Sequence, residues 1–376
     1  MTFVLCAAVL AVGGVTLSEH RTARGVVRGD SPGTVVAAQA TVVSQISGQA
    51  VTPALAPYQN NTPGRFQVYA ADLGISWAAG PDTVMIAFGD TYGKNWRPSA
   101  KGGPDGWDDD NADWRCNTLA VSSDHDLAGG LTIDSMIQDS PGHAGQILPC
   151  KQGSGEETVI PTSGVHLGSI DYLASMSVDY WDTVSGVWRT NYSQISYSVD
   201  GGRTWTTSPL RFSNNTAGTD DFQMLDLVDH GSYVYVFATP NGRFGNAYLA
   251  RVTPNRLLDA SYYQYWTKDG WKTGDQSAAV PVVKAPVGEL SVYYDQSLGL
   301  WLMSYLDQPR DAIVLRTATS PTGPWSAEQV LVPGSKYPDL YGGFIHPWSS
   351  GNDLYFTMSL WDQYQVLLMH STLTRG

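Results

Sequence analysis

The sequence contains few cysteines, few charged residues and an even smaller share of basic ones. Only 3 of its 376 residues are cysteine and 15% are charged, with 22 Lys and Arg against 35 Asp and Glu. Binding to nucleic acid or to an anionic membrane surface needs clustered basic side chains, so a net charge of -13 argues against both partners. Neutral or cationic ligands fit this charge balance better.

The sequence motifs of several enzyme classes are also absent. There is no G-x-S-x-G, H-E-x-x-H, Walker or G-x-G-x-x-G sequence. The three cysteines are too few for a cysteine-based zinc or iron–sulfur site, and the seven histidines show no spacing typical of metal ligands. We therefore predict neither a metal nor an organic cofactor.

An apolar run occupies the N-terminus, over residues 3–15. It has the length of a signal peptide and is too short to span a bilayer comfortably. We interpret residues 1–20 as an export signal or N-terminal anchor, and residues 21–63, which lack sustained periodicity, as a flexible linker. The protein would then be secreted or retained at the cell envelope, with any membrane tether limited to its N-terminus.

The cysteines agree with export. Cys6 lies inside the apolar run, which leaves Cys116 and Cys150 in the exported part. In an oxidising compartment two cysteines most simply form one disulfide, here closing a loop of about 35 residues. Two unpaired thiols are the alternative.

From residue 64 to the C-terminus the pattern is strand, turn, strand. Segments rich in Tyr, Val, Phe and Trp are bounded by Gly, Asn and Asp, as in residues 233–252 and 290–306, and no window of eleven or more residues keeps a helical period. Hairpins cluster about every 60 residues, near Phe66, Asn117, Leu167, Phe222 and Leu290, and a stretch from Tyr341 can return to close a ring. This spacing predicts an all-β protein, a five-bladed β-propeller over residues 64–376.

A local motif supports the propeller. The segment SVDGGRTW, residues 198–205, matches the S-x-D-x-G-x-T-W turn called the Asp box, which occurs at outer turns of propeller blades in sialidases and many other proteins. We expect Asp200 to stabilise this turn and to take no part in catalysis. A sialidase would also need an arginine triad, and no F-R-I-P-like segment precedes the box.

The first hairpin carries two aspartates that need an explanation. With its turn at residues 79–82, opposed residues have numbers that sum to 161 or 162, which places Asp72 opposite Asp90 or its neighbour. Like charges directly opposed on one face destabilise a hairpin. Each Asp could simply end a strand by bonding to backbone N–H groups. Alternatively the pair flanks a glycosidic bond, since glycoside hydrolysis uses two carboxyl groups.

Several segments resemble a bacterial family that was long known only as a domain of unknown function. They are ADLGISW, FGDTYG, WRCNTLAVSSD, IPTSGVHLG, TPNGRFGNAYLARV, GELSVYYD and YGGFIHPW, in that order, over residues 66–373. Some members of that family are endo-D-arabinanases, five-bladed propellers that cleave the D-arabinan of mycobacterial arabinogalactan and lipoarabinomannan. The resemblance implies that Asp72 and Asp90 are the catalytic pair.

Seven other side chains are candidates for contact with a sugar chain. Arg243 and Glu289 could bond to hydroxyl groups, although surface positions suit both, and the aromatic candidates could equally belong to the core. The full set is Asn117, Arg243, Glu289, Tyr341, His346, Trp181 and Trp361.

Together these features predict an exported, monomeric, endo-acting glycoside hydrolase that cleaves D-arabinofuranosyl linkages. One alternative is a propeller without catalytic activity that binds carbohydrate, as a lectin or a cell-envelope scaffold. A sialidase-like glycosidase is a more distant alternative.

Overall fold

Short antiparallel strands make up nearly all of the part of the chain that the structure describes. The computed structural model describes residues 35–48, 60–97 and 113–376, and the expected export segment over residues 1–20 lies outside them. Helix α1 (Thr62–Phe66) is short, and 3₁₀ turns lie at Leu127–Gly129, Pro254–Arg256, Ala260–Tyr262 and Gln276–Ala278. Within the described residues no helix has the length and apolar character needed to cross a membrane.

The strands form five antiparallel sheets and a small hairpin. Two strands precede the first sheet, β1 (Val35–Ala37) and β2 (Thr41–Gln45). Sheet 1 contains β3 (Ala70–Ala78), β4 (Val84–Tyr92), β5 (Trp114–Arg115), β6 (Thr118–Ser122) and β7 (Ser135–Met136), and the hairpin β8 (Gln138–Ser140) and β9 (His143–Ala144) follows. Sheet 2 contains β10 (Thr158–Leu167), β11 (Ile170–Trp181), β12 (Trp188–Ser198) and β13 (Thr206–Ser213).

The remaining three sheets repeat this plan. Sheet 3 contains β14 (Met224–His230), β15 (Tyr233–Thr239), β16 (Gly245–Val252), β17 (Gln264–Thr267), β18 (Gly270–Thr273) and β19 (Val283–Val287). Sheet 4 contains β20 (Leu290–Asp295), β21 (Leu300–Asp307), β22 (Ala312–Ala318) and β23 (Gln329–Pro333). Sheet 5 contains β24 (Leu340–Ile345), β25 (Asp353–Leu360) and β26 (Gln365–Arg375), and β26 also pairs with β1 and β2.

The first strands of the five sheets form a closed ring. Strand β3 contacts β10, β10 contacts β14, β14 contacts β20, β20 contacts β24, and β24 contacts β3 again. Apolar side chains fill the spaces between neighbouring sheets, for example Ile195 with Leu225, Leu249 with Met303 and Ile86 with Leu368. The molecule is therefore a five-bladed β-propeller, and the predicted fold is confirmed.

Polar side chains join neighbouring inner strands of this ring. At each of three junctions a backbone N–H group donates to a side chain of the preceding inner strand. The bonds are Leu227 N–H to Ser163 Oγ at 2.9 Å, Val292 N–H to Asp226 Oδ2 at 2.7 Å and Ile345 N–H to Ser291 Oγ at 3.0 Å. These side chains satisfy backbone donors where adjacent blades share no ladder, which an apolar side chain could not do.

The N-terminal strands close the propeller, so the expected linker over residues 21–63 is wrong where residues 35–48 and 60–63 are described. Strand β1 pairs with the end of β26, and β2 pairs with its start. Gln329 of β23 ties β1 to sheet 4, since its amide group accepts from Ala37 N–H at 2.9 Å and donates to the Val35 carbonyl at 2.8 Å. The sequence signal was weak because these strands are only three and five residues long.

The blade boundaries differ from the hairpin clusters counted in the sequence. The cluster near Asn117 belongs to blade 1, whose third strand β6 lies more than twenty residues beyond β4. The stretch from Tyr341 is a full fifth blade built of β24, β25 and β26. The long connection between β4 and β6 made one blade look like two units in the sequence.

Two local features stabilise blades 1 and 2. A disulfide joins Cys116 to Cys150, which lie 34 positions apart. In the Asp box, the Asp200 carboxylate accepts from Thr204 N–H at 2.9 Å and from the Thr204 hydroxyl at 2.7 Å, and these bonds lower its pKa to about 2. Asp200 therefore acts as a turn residue between β12 and β13.

We predict that the N-terminal closure contributes measurably to stability. Gln329→Ala removes two hydrogen bonds to β1 and is expected to lower the free energy of unfolding by about 1 to 2 kcal/mol. Deletion of residues 1–45 is expected to lower it further, because β26 then becomes an exposed edge. Thermal and urea unfolding of both variants measure the effect, with Gln276→Ala on a surface turn of blade 3 as the control. Unchanged stability in both would contradict the closure.

Candidate active site

A cavity with about 710 Å³ of empty space, including its open mouth, lies at one end of the propeller axis. All five inner strands contribute to its wall, through Asp72, Ile160, Met224, Leu290 and Tyr341. Each of these residues lies near the start of its strand. The cavity is therefore on the axis, at the rim where the inner strands begin.

The hairpin of β3 and β4 has the predicted register. Ala78 pairs with Val84 and Ala70 pairs with Tyr92, and both pairs of residue numbers sum to 162. Because Ala71 pairs with Thr91 and Leu73 with Phe88, Asp72 lies at an irregular point of the ladder that faces Gly89 and Asp90, and both aspartates line the cavity. The two aspartates that the sequence predicts to face each other therefore lie in the wall of one cavity.

The ladder between these strands is irregular directly after Asp72. Leu73 and Gly74 both have positive φ angles, 69° and 75°, which few residues other than glycine adopt. Leu73 N–H leaves the ladder and donates to the Ser359 hydroxyl of blade 5 at 2.8 Å. A non-glycine residue held in this region costs about 1 to 3 kcal/mol. Such strain next to a paired carboxylate is typical of a functional site.

Asp72 is buried and accepts a hydrogen bond from a tyrosine of blade 5. Its side chain is 6% exposed, and the Tyr341 hydroxyl donates to its Oδ2 atom at 3.0 Å. The Oδ1 atom has no hydrogen-bond partner among the described residues. Burial, with a smaller contribution from the charge of Asp90, raises the pKa of Asp72 to about 8, although the hydroxyls of Tyr341 and Tyr364 oppose the shift.

Asp90 is buried too, but it has more donors. It is 2% exposed, and its Oδ1 atom accepts from the Thr158 hydroxyl at 2.7 Å and from the Trp114 indole at 3.0 Å. Burial raises its pKa to about 7, and the two hydrogen bonds limit the rise because they favour the ionised form. The two carboxyl groups thus differ in environment, because Asp90 accepts two hydrogen bonds that favour its ionised form and Asp72 has an Oδ1 atom without such a bond.

Gly89 leaves the space that Asp72 occupies. A Cβ atom at position 89 would overlap the Asp72 Oδ1 atom and would lie 3.2 Å from Leu73 Cδ1. The glycine of the F-G-D-T segment therefore allows the two carboxyl groups to approach each other from adjacent strands.

Arg243 and Glu289 lie in the cavity wall and bind each other. The guanidinium donates to both Glu289 carboxylate oxygens, with the shortest distance 2.7 Å, and to Gln308 Oε1 at 2.9 Å. Its centre also lies 5.4 Å from the ring centroid of Tyr341. Both residues were expected from the sequence to contact substrate, and the structure places them as a neutral ion pair in the wall.

Two tryptophans and a tyrosine of the expected set also line the cavity. Trp181 ends β11, Trp361 follows β25, and Tyr341 is the second residue of β24. Trp361 is 41% exposed and packs edge-on against Tyr341, with ring centroids 6.2 Å apart. An exposed tryptophan at a cavity mouth is suited to stacking on a ligand.

Asn117 lies away from the cavity, contrary to the sequence expectation. It is fully buried, and its amide donates to the carbonyls of Leu148 and Val159 and accepts from Ile147 and Leu148 N–H groups, at 2.7 to 3.2 Å. These backbone partners occupy its polar atoms. Asn117 therefore holds the segment before blade 2 in place and is not placed to contact substrate.

His346 also lies outside the cavity wall. It follows the last residue of β24, at the opposite end of the strand from Tyr341, and it is fully buried. Its Nδ1 atom accepts from Trp348 N–H at 3.2 Å, and burial lowers its pKa to about 3. A neutral core histidine explains this environment better than a contact with substrate.

Sequence reasoning missed the immediate partners of the two carboxyl groups. Thr158 starts β10, Tyr364 immediately precedes β26, and Trp114 forms β5 with its neighbour. Trp114 could have been found, since it is the first residue of WRCNTLAVSSD, one of the segments that carry the family resemblance. Thr158 and Tyr364 belong to no recognised motif. Their positions next to the aspartates depend on how blades 2 and 5 pack against blade 1.

The fold and this site define a class, that of five-bladed propellers with two buried carboxyl groups at the axis. A family model described as "Domain of unknown function (DUF4185)" matches residues 58–370, so the chain belongs to that family. Notoamide biosynthesis cluster protein J of Aspergillus sp. (strain MF297-2) is 33% identical over 344 residues, which cover 85% of this chain and 87% of that protein.

Solved structures share the fold at low sequence identity. A family 117 glycoside hydrolase from Zobellia galactanivorans superposes with a TM-score of 0.51 and 10% identity, covering 90% of each chain. An exo-beta-1,3-galactanase from Phanerochaete chrysosporium gives a TM-score of 0.51 and 13% identity, covering 88% of this chain and 64% of that one. Identities this low establish the shared fold alone. Within residues 35–48, 60–97 and 113–376, no group of three or more His, Cys, Asp or Glu side chains is arranged to hold a metal ion.

We predict that Asp72→Asn stabilises the protein at neutral and alkaline pH. The folded pKa of about 8 exceeds the ordinary value of 3.8, so the folded protein holds a proton that the unfolded chain has lost between these values, and stability falls as pH rises through them. Asn removes this penalty. The variant should exceed wild type by on the order of 1 to 3 kcal/mol at pH 8, with the difference shrinking towards pH 4.

Thermal unfolding across pH 4 to 9 measures this difference. The exposed Asp82→Asn is the matched control and should follow the wild-type curve. A difference between Asp72→Asn and wild type that does not change with pH would contradict the raised pKa.

Proposed function

We propose that this protein is a glycoside hydrolase that cleaves D-arabinofuranosyl linkages within D-arabinan chains. The observation that carries the proposal is the pair of buried carboxyl groups, Asp72 and Asp90, which have raised pKa values and different hydrogen-bond partners in one aromatic-lined cavity. Glycoside hydrolysis needs one carboxyl group that is protonated and one that is ionised.

The environments support different roles for the two groups. Asp72 has a raised pKa and an Oδ1 atom without a hydrogen-bond partner among the described residues, so it acts as the general acid that protonates the leaving oxygen. Asp90 accepts two hydrogen bonds that favour its ionised form, so it acts as the base or nucleophile. Tyr341 and Trp114 are positioning residues, because they act through the carboxyl groups they bond to.

The charge of the cavity favours a neutral substrate. Among the described residues that line it, Arg243 is the only cation, and its guanidinium is bonded to Glu289. A sialidase binds the carboxylate of its substrate and would need a cationic group that is available to that ligand. Hydroxyl-rich neutral sugars instead fit paired charges and aromatic faces.

The choice of D-arabinan rests on the sequence resemblance to endo-D-arabinanases, including the segments that carry Asp72, Asp90 and Trp114. The glycoside hydrolases among the solved structures with this fold are consistent with hydrolysis of a sugar chain. A lectin is the competing function, but binding alone gains nothing from burying two carboxyl groups against each other, which lowers stability. We further propose that the enzyme is exported and acts on cell-envelope polysaccharide.

We predict that the purified protein releases short oligoarabinosides from mycobacterial arabinogalactan. Asp72→Asn and Asp90→Asn should each lower the rate by about 10² to 10⁴, because general acid–base catalysis contributes that much. Product release resolved by chromatography measures the rate, and the size of the products separates internal cleavage from removal of terminal units.

Asp226→Asn is the matched control for this experiment. Asp226 is also buried, with a pKa raised to about 7, but it lies on the inner strand β14 outside the cavity wall. The Asp226→Asn variant should therefore keep its activity. Binding of arabinan without release of any product would favour the lectin. Activity that survives both Asp72→Asn and Asp90→Asn would refute the assigned roles.

We also predict that Gly89→Ala inactivates the enzyme and lowers the free energy of unfolding by only about 1 to 3 kcal/mol, the usual cost of a methyl group added to a buried, filled site. The added Cβ atom overlaps the Asp72 carboxylate, so the acid must leave its position, whereas the backbone at residue 89 needs no positive φ angle. A fall in kcat of about 100-fold is expected, since small displacements of a catalytic group have effects of this size. Gly129→Ala on an exposed turn is the control, and unchanged kcat in Gly89→Ala would contradict the close approach.

A further inference from the structure

A second cavity opens beside the one that holds the carboxyl pair. It has about 1100 Å³ of empty space, including open solvent. Five residues line both cavities, namely Trp181, Trp188, Arg243, Tyr341 and Trp361. The two spaces are therefore neighbours across a shared set of mainly aromatic side chains.

The wall of the second cavity is held in place by the protein itself. Residues 182–187, which connect β11 to β12, form one side. Asp182 accepts from Val184 N–H at 2.9 Å within this connection, and the Gly186 carbonyl accepts from Arg243 N–H at 2.9 Å. The second bond fixes the connection of blade 2 to blade 3, so the wall exists before a ligand binds.

The opposite side comes from blades 4 and 5. Gln308 and Asp311 lie between β21 and β22, Asp339 lies just before β24, and Trp361 follows β25. Of these residues, Gln308 accepts a hydrogen bond from the Arg243 guanidinium, which links this side of the cavity to the ion pair in the first cavity. The second cavity thus runs from blade 2 towards blades 4 and 5 along the same rim.

The chemistry of the wall suits a neutral, hydroxyl-rich ligand. The aromatic faces of Trp181 and Trp361 and the exposed side chain of Val184 offer apolar contact, and Val184 is 58% exposed. The carboxylates of Asp182, Asp311 and Asp339 are acceptors for hydroxyl groups. These three carboxylates would repel an anionic ligand. Arg243 would not offset this repulsion, because its guanidinium is already paired with Glu289.

We propose that the second cavity is a distal subsite for further sugar residues of the polysaccharide chain whose bond is cut between Asp72 and Asp90. This inference rests on the proposed function. Its physical support is continuity, since a chain that leaves the first cavity past Trp181 and Trp361 enters the second. Contacts distant from the reacting bond increase the rate for long substrates through binding energy that short ones lack.

The test places a large side chain in the second cavity and leaves the residues that line the first cavity unchanged. Ser185 is exposed and lines only the second cavity, so Ser185→Trp and Ser185→Arg should fold normally and block it. With D-arabinan oligosaccharides of increasing length, wild type should show kcat/KM rising with length. Both variants should lose about tenfold on the longest substrates, equivalent to about 1.4 kcal/mol, and keep wild-type values on the shortest.

Val199→Trp and Val199→Arg are the matched controls. Val199 is 68% exposed and follows β12 at the end opposite the cavity, so these variants should behave as wild type at every length. Equal losses on short and long substrates, or no loss on either, in the Ser185 variants would overturn the distal subsite while the proposed function stands. A wild type that cleaves no arabinan oligosaccharide of any length would overturn both.

Discussion

The closed ring of five inner strands is the constraint on which the site depends. In an antiparallel blade the start of the first strand, the end of the second and the start of the third all lie at one rim. Asp72 lies near the start of β3, Asp90 near the end of β4, Trp361 just after β25 and Tyr364 just before β26. Because the ring brings five such rims together, residues distant in sequence meet in one cavity.

The same ring explains how the protein tolerates an unfavourable arrangement. Two buried carboxyl groups, a strained Leu73 and an Oδ1 atom without a partner among the described residues all oppose folding. They are held by contacts that originate in other blades, namely Thr158 from blade 2 and Ser359 and Tyr341 from blade 5. A hairpin alone could relax away from this geometry, whereas a closed ring cannot do so without separating its blades. The site is therefore specified by the whole fold.

Sequence reasoning succeeded where a local rule fixes the geometry. The turn at residues 79–82 determines the register of β3 and β4, so the opposition of Asp72 and Asp90 could be predicted before the rest of the fold was known. It failed for Asn117 and His346, since a polar residue in a motif can serve the backbone or the substrate, and only burial separates the two cases. Thr158 and Tyr364 could not be predicted, because their positions depend on contacts between blades.

The ion pair of Arg243 and Glu289 connects the charge of the site to its selectivity. The charge of Glu289 contributes to the raised pKa of Asp72, and Arg243 lies within 5.4 Å of the ring centroid of Tyr341, which bonds to Asp72. Since the pair is neutral overall, it supplies hydrogen-bonding groups without attracting an ion that would alter the protonation of the carboxyl groups. An unpaired arginine would lower the pKa of Asp72 and admit anionic ligands. Pairing therefore leaves the carboxyl group of Asp72 with a raised pKa and is compatible with the uncharged substrate that we propose.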